Sequence, residues 1–217
     1  MMRLGLGKAD GSRWRILCLG AHCDDIEIGC GGTILNLTER RRDVSVTWVV
    51  FSGDAARERE ALASAALFLA AARESTVTVH RFRDGFFPYV GAAIKEQFEA
   101  LKRTVTPDLV LTHHGGDRHQ DHRLISELTW NTFRDHLILE YEIPKYDGDL
   151  GSPNVLVELD ETICERKIRH LVESFKTQQA KPWFSEDTFR AVLRLRGIEA
   201  NSPTRFAEGF YARKLVL

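Results

Sequence analysis

The sequence predicts an α/β fold: a Rossmann-like three-layer sandwich around a mostly parallel central sheet. Short apolar segments alternate along the chain with longer segments of helical composition, and strands that alternate with helices usually form a parallel sheet with right-handed crossovers. The length of 217 residues suits one well-buried core. We therefore expect residues 1–217 to form a single domain.

The first half of the chain predicts four strands and three helices. Residues 1–13 are polar and glycine-rich, which predicts a loose lead-in, and the apolar run 14–20 predicts a buried strand. A helix follows around Ile34, Leu35 and Leu37 and ends in the charged run 39–43, and the next strand is at 44–51. An alanine-rich helix is predicted at 55–73 and a strand at 77–82. The last elements of this half are a helix at 92–104, which Pro107 ends, and a strand at 109–112.

The second half continues the same alternation. It predicts a helix at 122–134, strands near 137–143 and 154–159, helices at 161–176 and 186–196, and a strand in the tail 207–217. We find no linker, repeat or low-complexity segment that would indicate a domain boundary.

Composition and charge exclude several classes of partner. The net charge is −1 and the lysines and arginines are spread among acidic residues, whereas nucleic acids and anionic membranes require a clustered basic face. No apolar run is long enough to span a membrane, and the N-terminus lacks the apolar core of a signal peptide. The four cysteines show neither zinc-finger nor disulfide-scaffold spacing. We expect a cytoplasmic protein with reduced thiols, no nucleic-acid partner and no stable membrane insertion. The sequence leaves open whether the protein forms a homo-oligomer.

Polar clusters follow two of the predicted strands. His22, Asp24 and Asp25 come directly after the first strand, and His119 and His122 follow the fourth. Sites in parallel sheets form beyond the carboxyl ends of the strands, so we expect the clusters to meet. Each cluster contains a pair three residues apart, which lets a turn or a helix start aim both side chains at one point. Imidazole and carboxylate are ordinary zinc ligands, and a catalytic zinc keeps one position open.

Other interpretations of these residues stay open at this point. Asp24 and Asp25 could cap the following helix, and Asp121 could cap the next one. The histidines at 113, 114 and 119 could lie in a solvated loop. The metal site is favoured because both clusters lie at strand-to-helix junctions on the same predicted sheet edge.

Several motifs closely resemble the LmbE/PIG-L family of zinc-dependent N-deacetylases. The principal ones are Ala21-His22-Cys23-Asp24-Asp25-Ile26-Glu27, Gly31-Gly32-Thr33 and His119-Gln120-Asp121-His122. The resemblance extends to Arg57-x-x-Glu60, Asp84, Pro107-Asp108 and Ala207-Glu208-Gly209-Phe210. It covers most of the chain and implies the Rossmann-like fold that the alternation of elements predicts.

The resemblance implies a metal centre and a base. His22, Asp25 and His122 would be the ligands of Zn²⁺ or of another divalent metal such as Fe²⁺. Asp24 would be the general base: the metal would lower the pKa of its bound water toward neutrality, and the carboxylate would take a proton as the water attacks the acetyl carbonyl.

The resemblance also implies roles on the substrate side. His119 would stabilise the oxyanion and donate a proton to the leaving amine, and Asp121 would orient it and favour its protonation. Arg57 falls where the family often has a substrate-binding arginine. We also expect Asp84 and Asp117 to contact the substrate; Asp117 could instead orient the His119 loop or be a solvated loop residue.

A few positions carry weaker signals. Cys23 stands where the family usually has proline; a small buried side chain is the simpler interpretation, and a fourth metal ligand would close the position that catalysis needs. Tyr141 and Tyr146 are candidates for stacking on a sugar face. Glu208 could enter the site or form a surface ion pair.

We therefore predict a metal-dependent hydrolase that removes an N-acetyl group from an N-acetylated amino sugar of the GlcNAc type, either free or linked to a nucleotide or lipid. One alternative is the same chemistry on another acyl group or amine, as in a deformylase or amidase. Another is a non-catalytic nucleotide- or sugar-binding module built on the turn Gly29–Gly32. That turn follows the first strand only after nine residues, Gly20 to Ile28, and the acidic cluster between them would repel pyrophosphate.

Overall fold

The computed structural model describes residues 12–41 and 43–215, and in them seven strands form one sheet. The strands are β1 (Trp14–Gly20), β2 (Val44–Val50), β3 (Glu74–Val79), β4 (Leu109–His113), β5 (Leu137–Tyr141), β6 (Val155–Leu159) and β7 (Phe206–Tyr211). The helices are α1 (Asp25–Arg40), α2 (Ala55–Phe68), α3 (Gly91–Thr104), α4 (Gln120–Thr132), α5 (Glu161–Ser174) and α6 (Glu186–Glu199).

The sheet order is β3-β2-β1-β4-β5-β7-β6. The strands β1 to β5 are mutually parallel, and β7 runs antiparallel to both of its neighbours, β5 and β6. One apolar core packs α1, α2, α5 and α6 onto one face of the sheet, and a second packs α3 and α4 onto the other. The predicted α/β sandwich with a mostly parallel sheet is confirmed.

Element boundaries differ from the prediction where local pattern is ambiguous. The third strand lies at Glu74–Val79 rather than 77–82, because it is an exposed edge strand whose polar residues hide its start. The last strand ends at Tyr211. Residues 1–11 of the predicted lead-in and 216–217 of the tail lie outside the described residues, and the single-domain assignment stays a prediction. Within the described ranges, no helix has both the length and the apolar character of a membrane span.

The glycine-rich stretch 29–32 lies inside α1, so the predicted turn at this place is wrong. These glycines allow close packing of the helix. A Cβ atom at Gly29 would lie 2.1 Å from the ring of Tyr141, and one at Gly31 would lie 2.5 Å from the ring of Phe68. Because the interior is close-packed, any side chain at these positions would push the helix away from the sheet or from α2. The turn required by a nucleotide-binding module does not exist here.

A buried ion pair holds α1 against α5 and β7. Glu208 accepts the backbone N–H groups of Gly32 at 2.8 Å and Thr33 at 2.7 Å. Lys167 Nζ lies 2.6 Å from Glu208 Oε1 and donates to the carbonyl oxygen of Ile28, also at 2.6 Å. Glu208 therefore neither enters the candidate site nor forms a surface ion pair, and both interpretations from the sequence are wrong.

We predict that Lys167→Met lowers the free energy of unfolding by about 3–5 kcal/mol, because it leaves the Glu208 carboxylate buried without its cation. Chemical denaturation followed by circular dichroism measures this loss. The matched control is Arg81→Met, which breaks an ion pair with Glu58 whose arginine side chain is 68% exposed; we expect a change of about 1 kcal/mol or less. Equal losses in the two variants would contradict the prediction.

Candidate metal centre

The adjacency of β1 and β4 brings the two polar clusters together. These strands pair in parallel, with Ile16 opposite Leu109 and Cys18 opposite Leu111, so their carboxyl ends lie side by side. The segment after β1 carries His22 and leads into α1, and the segment after β4 leads into α4, where His122 lies in the first turn.

Three donor groups from these segments converge on one point. His22 Nδ1 lies 3.1 Å from His122 Nε2 and 3.3 Å from Asp25 Oδ2. His122 Nε2 lies 3.5 Å from Asp25 Oδ1. Ligands at zinc-like bond lengths in a tetrahedron are separated by about 3.3–3.4 Å. Each pair of these side chains is therefore about as far apart as two ligands of one tetrahedral metal ion, and the two distances to Asp25 end on its two different oxygens.

The other ring nitrogen of each histidine faces a carboxylate. His122 Nδ1 lies 2.8 Å from Asp117 Oδ2. His22 Nε2 lies 3.1 Å from Asp84 Oδ1 and 3.3 Å from Asp121 Oδ2. The contact with Asp117 places a proton on His122 Nδ1, so His122 Nε2 presents a lone pair toward His22 Nδ1. Two imidazole nitrogens and a carboxylate form a donor set that fits a divalent cation.

The charges around the cluster agree with this assignment. Burial and the neighbouring His113 lower the pKa of His122 to about 3, so its ring is neutral. Burial alone would raise the pKa of Asp25, but the imidazoles of His122 and His113 bring it well below its ordinary value. Burial would lower the pKa of His22, but Asp25 and Asp121 raise it well above its ordinary value. The position therefore attracts positive charge.

Asp25 does not cap a helix. Its Oδ2 accepts the backbone N–H of His22 at 2.6 Å. Asp24 occupies the N-cap position of α1, but its side chain makes no capping hydrogen bond. The N-cap of α4 is His119, and not Asp121. The capping interpretation is wrong for all three aspartates.

His113 is a site residue that the sequence does not reveal. It is the last residue of β4 and is fully buried, so the interpretation as a solvated loop residue is wrong. Its ring stacks on that of His122 with 4.0 Å between centroids, and its Nε2 lies 3.1 Å from Asp25 Oδ2. The available signal was its place directly after the short segment 109–112, which the sequence predicts as a strand.

Asp24 lies beside the cluster and is held by Arg57. The Arg57 Nη2 atom donates to Asp24 Oδ1 at 2.9 Å, and Asp24 is 4% exposed. Burial raises the pKa of Asp24 although Arg57 opposes this shift. Both side chains line the cavity described below.

His119 and Asp121 are arranged differently from the expectation. The backbone N–H of Asp121 donates to His119 Nδ1 at 3.3 Å, whereas the Asp121 carboxylate accepts from the backbone N–H groups of Gly85 at 2.7 Å and Phe87 at 3.1 Å. Burial and the nearby His22 lower the pKa of His119. His119 is therefore a neutral imidazole whose Nε2 carries the proton, and Asp121 does not keep it protonated.

The two aspartates expected to bind substrate also contact histidines. Asp84 has a side chain that is 73% exposed and borders the cavity, but its Oδ1 faces His22. Asp117 is 4% exposed and is absent from the cavity wall in the described structure, because its carboxylate lies behind His122. Its second oxygen accepts the N–H of His119 at 2.7 Å. The substrate-binding assignment of Asp117 stays a prediction, and its contact with the His119 N–H favours the alternative in which it orients the His119 loop.

Cys23 points away from the cluster. It is fully buried, and its thiol donates to the carbonyl oxygen of Ser52 at 3.2 Å. Burial raises its pKa to about 12, so the thiol stays protonated and is a poor metal ligand. The structure agrees with the interpretation as a small buried side chain.

A cavity of about 730 Å³ opens over the cluster. Tyr146 lines it with a side chain that is 73% exposed, whereas Tyr141 is fully buried beneath α1 and cannot stack on a sugar. The wall contains His22, Asp24, Asp25, Arg57, Asp84, His119, His122, Lys145, Tyr146, Lys181 and Trp183, together with Arg81 and Arg83.

Fold and cluster together define an α/β protein with a candidate metal centre at the carboxyl edge of its parallel strands. The chain belongs to the PIG-L family. The family model described as GlcNAc-PI de-N-acetylase matches residues 17–133, which is more than half of the 217 residues and includes both clusters. The predicted family relationship is confirmed.

Solved structures share this fold. The conserved protein TT1542 from Thermus thermophilus is 21% identical, with a TM-score of 0.74 over 93% of this chain and 95% of that chain. The N,N'-diacetylchitobiose deacetylase from Pyrococcus horikoshii is 22% identical, with a TM-score of 0.67 over 91% and 83%. GalB, the 4-carboxy-2-hydroxymuconate hydratase from Pseudomonas putida, is 16% identical, with a TM-score of 0.73 over 94% and 98%. At such identities the likeness shows the fold, and a fold alone does not determine the reaction.

We predict that His122→Ala abolishes stoichiometric binding of a divalent metal, because it removes one of three converging donors. Elemental analysis of protein loaded with Zn²⁺ and desalted measures the loss. His136→Ala is the control, because that histidine directly precedes β5, at the amino ends of the parallel strands and away from the metal centre, and pairs with Asp135. Normal metal content in His122→Ala would remove His122 from the ligand set.

Proposed function

We propose that this protein is a metal-dependent N-deacetylase that acts on an N-acetylated amino sugar of the GlcNAc type. The observation that carries the proposal is the convergence of His22, Asp25 and His122 at the floor of an open cavity, with the Asp24 carboxylate beside them. Family membership supports deacetylation as the reaction.

His22, Asp25 and His122 would hold the metal. A divalent cation bound there, Zn²⁺ or Fe²⁺, supplies Lewis acidity to the attacking water and to the acetyl carbonyl. Asp25 contributes the anionic donor, and the two imidazoles contribute neutral nitrogen donors.

Asp24 would act as the general base. Arg57 holds its Oδ1, which leaves Oδ2 to accept a proton from the attacking water. The raised pKa that burial gives Asp24 brings the carboxylate closer to neutrality, where a base can both accept a proton and later release it to the leaving amine. Arg57 thus acts on the base, and this contact supports a positioning role rather than direct binding of the substrate.

His119 would stabilise the oxyanion as a neutral donor. Its Nδ1 accepts the Asp121 N–H, so the Nε2 proton is available at the cavity wall. A fixed N–H donor aimed at developing negative charge lowers the barrier without a change in its own protonation.

The outer cavity wall supports a substrate whose sugar is linked to a phosphate-bearing carrier. Arg83 and Lys181 are exposed and border the cavity. In the described part of the chain neither forms an ion pair with a carboxylate, and their charged groups lie over the rings of Phe86 and Trp183. Exposed cations of this kind favour phosphate oxygens. A nucleotide and a lipid headgroup both present that group.

We predict that Asp24→Ala lowers kcat by roughly 100-fold or more while the metal stays bound, because the variant lacks the base but keeps all three donors. Steady-state acetate release and metal analysis of the same preparation measure both properties. Asp147→Ala is the matched control, because it removes an exposed carboxylate from the same cavity wall. Full activity of Asp24→Ala would exclude Asp24 as the base.

We also predict that acetate is released from nucleotide-linked or lipid-linked N-acetylglucosamine with a kcat/KM about tenfold above that of the free sugar. The doubly substituted variant Arg83→Ala, Lys181→Ala should lose this preference through a higher KM, because the removed contacts bind the ground state and transition state alike. The substrates tested include N-formyl analogues, and the assay measures release of the product amine as well as release of acetate. Release of formate alone would favour a deformylase, and no amine product from any sugar would overturn the proposal.

A further inference from the structure

We infer that Lys145 is a positioning residue of the metal centre. Its ammonium group holds Asp117 against His122 and also anchors the loop that forms part of the cavity wall. The inference rests on the proposed metal centre, and it concerns metal binding rather than the identity of the substrate.

The first step is the environment of Asp117. Its Oδ2 accepts from His122 Nδ1 at 2.8 Å and lies 3.0 Å from Lys145 Nζ. Its side chain is 3% exposed, so water cannot stabilise the charge, and a buried carboxylate is costly unless it is paired. In the described structure Lys145 is the one lysine or arginine in ion-pair contact with it. Lys145 therefore keeps a charged carboxylate where it can orient the ring of His122.

The second step is the way that Lys145 is itself fixed. Its side chain is only 9% exposed, and its ammonium also contacts Asp149. Asp149 Oδ2 accepts the backbone N–H of Arg118 at 2.7 Å. The segment 117–119 is thus held through the Asp117 side chain and through the Arg118 backbone, and both contacts lead to Lys145.

The third step concerns the loop 142–151, which carries Lys145 and follows β5. Arg196 anchors its two ends: its guanidinium pairs with Glu142 at 2.7 Å and donates to the carbonyl oxygen of Gly151 at 3.0 Å. Lys145 anchors its middle to the histidine segment. The tip beyond, with Tyr146, borders the cavity.

These contacts make one ammonium group responsible for two properties. It fixes the carboxylate that orients a metal ligand, and it fixes the base of a loop whose tip forms the cavity wall. Removal of a carboxylate partner of a ligating histidine typically weakens metal binding by about 10–100-fold. Loss of the cation that holds such a carboxylate in place should act in the same direction.

The test measures the affinity for Zn²⁺ by chelator competition, without substrate. We expect Lys145→Met, which keeps the length of the side chain, to weaken Zn²⁺ binding by about tenfold or more, and Lys145→Arg to restore affinity to within about threefold of the wild type. Lys95→Met is the control, because Lys95 also pairs with a carboxylate but lies on α3 at a partly exposed site. The Zn²⁺ affinity of this variant should equal that of the wild type. Chymotrypsin cleavage after Tyr146 should become faster in Lys145→Met only.

Zn²⁺ affinity of Lys145→Met within about twofold of the wild type would overturn the inference. If that variant does not fold, Lys145→Gln replaces it and is judged by the same limits. Wild-type protein that binds Zn²⁺ tightly but deacetylates no sugar would overturn the proposed function and leave this inference intact. Wild-type protein that binds Zn²⁺ no better than His122→Ala would overturn both.

Discussion

The close approach of two imidazoles and a carboxylate is the constraint on which the rest of this structure depends. His22 Nδ1, His122 Nε2 and the Asp25 carboxylate face one another at 3.1–3.5 Å. Burial opposes a charge on His22, but Asp25 and Asp121 raise its pKa well above the ordinary value, so the position favours a proton or a metal ion. Such an arrangement persists only because the surrounding contacts fix each group. The backbone N–H of His22 and the ring of His113 hold Asp25. Asp117 holds the ring of His122, and Asp121 contacts the ring of His22.

The sheet determines where these contacts can occur. Parallel pairing of β1 with β4 puts two strand ends side by side, and the close approach of α1 to Tyr141 and Phe68, which only glycine permits at positions 29 and 31, fixes the helix that begins at Asp25. The Lys167–Glu208 pair holds the same helix from the far side. Stability and site geometry are therefore linked through α1.

How far the sequence could predict this molecule depends on the range of the interactions involved. Strands and helices follow from local patterns, and both polar clusters could be placed at one sheet edge because parallel strands end together. The glycine stretch 29–32 has the composition of a turn but lies inside α1, where glycine leaves room for large rings from β5 and α2 that are distant in the sequence. No local pattern predicts the contact of Asp117 with His122 or that of His113 with Asp25, so the sequence indicated only that Asp117 could orient the His119 loop and assigned no role to His113.

The balance of buried charge adds a reason for the metal that ligand geometry alone does not supply. Asp24, Asp25, Asp117 and Asp121 are all 4% exposed or less, and within the described ranges the lysine and arginine side chains in ion-pair contact with them are Arg57 and Lys145. Burial opposes a charge on His22, but Asp25 and Asp121 raise its pKa, so its ring adds a third positive charge against four carboxylates. His122 is neutral, because burial lowers its pKa to about 3. The buried centre therefore carries an excess of negative charge, and water cannot screen it. Because uncompensated charge is costly in such surroundings, a divalent cation would complete the electrostatics of the fold as well as the chemistry of the site.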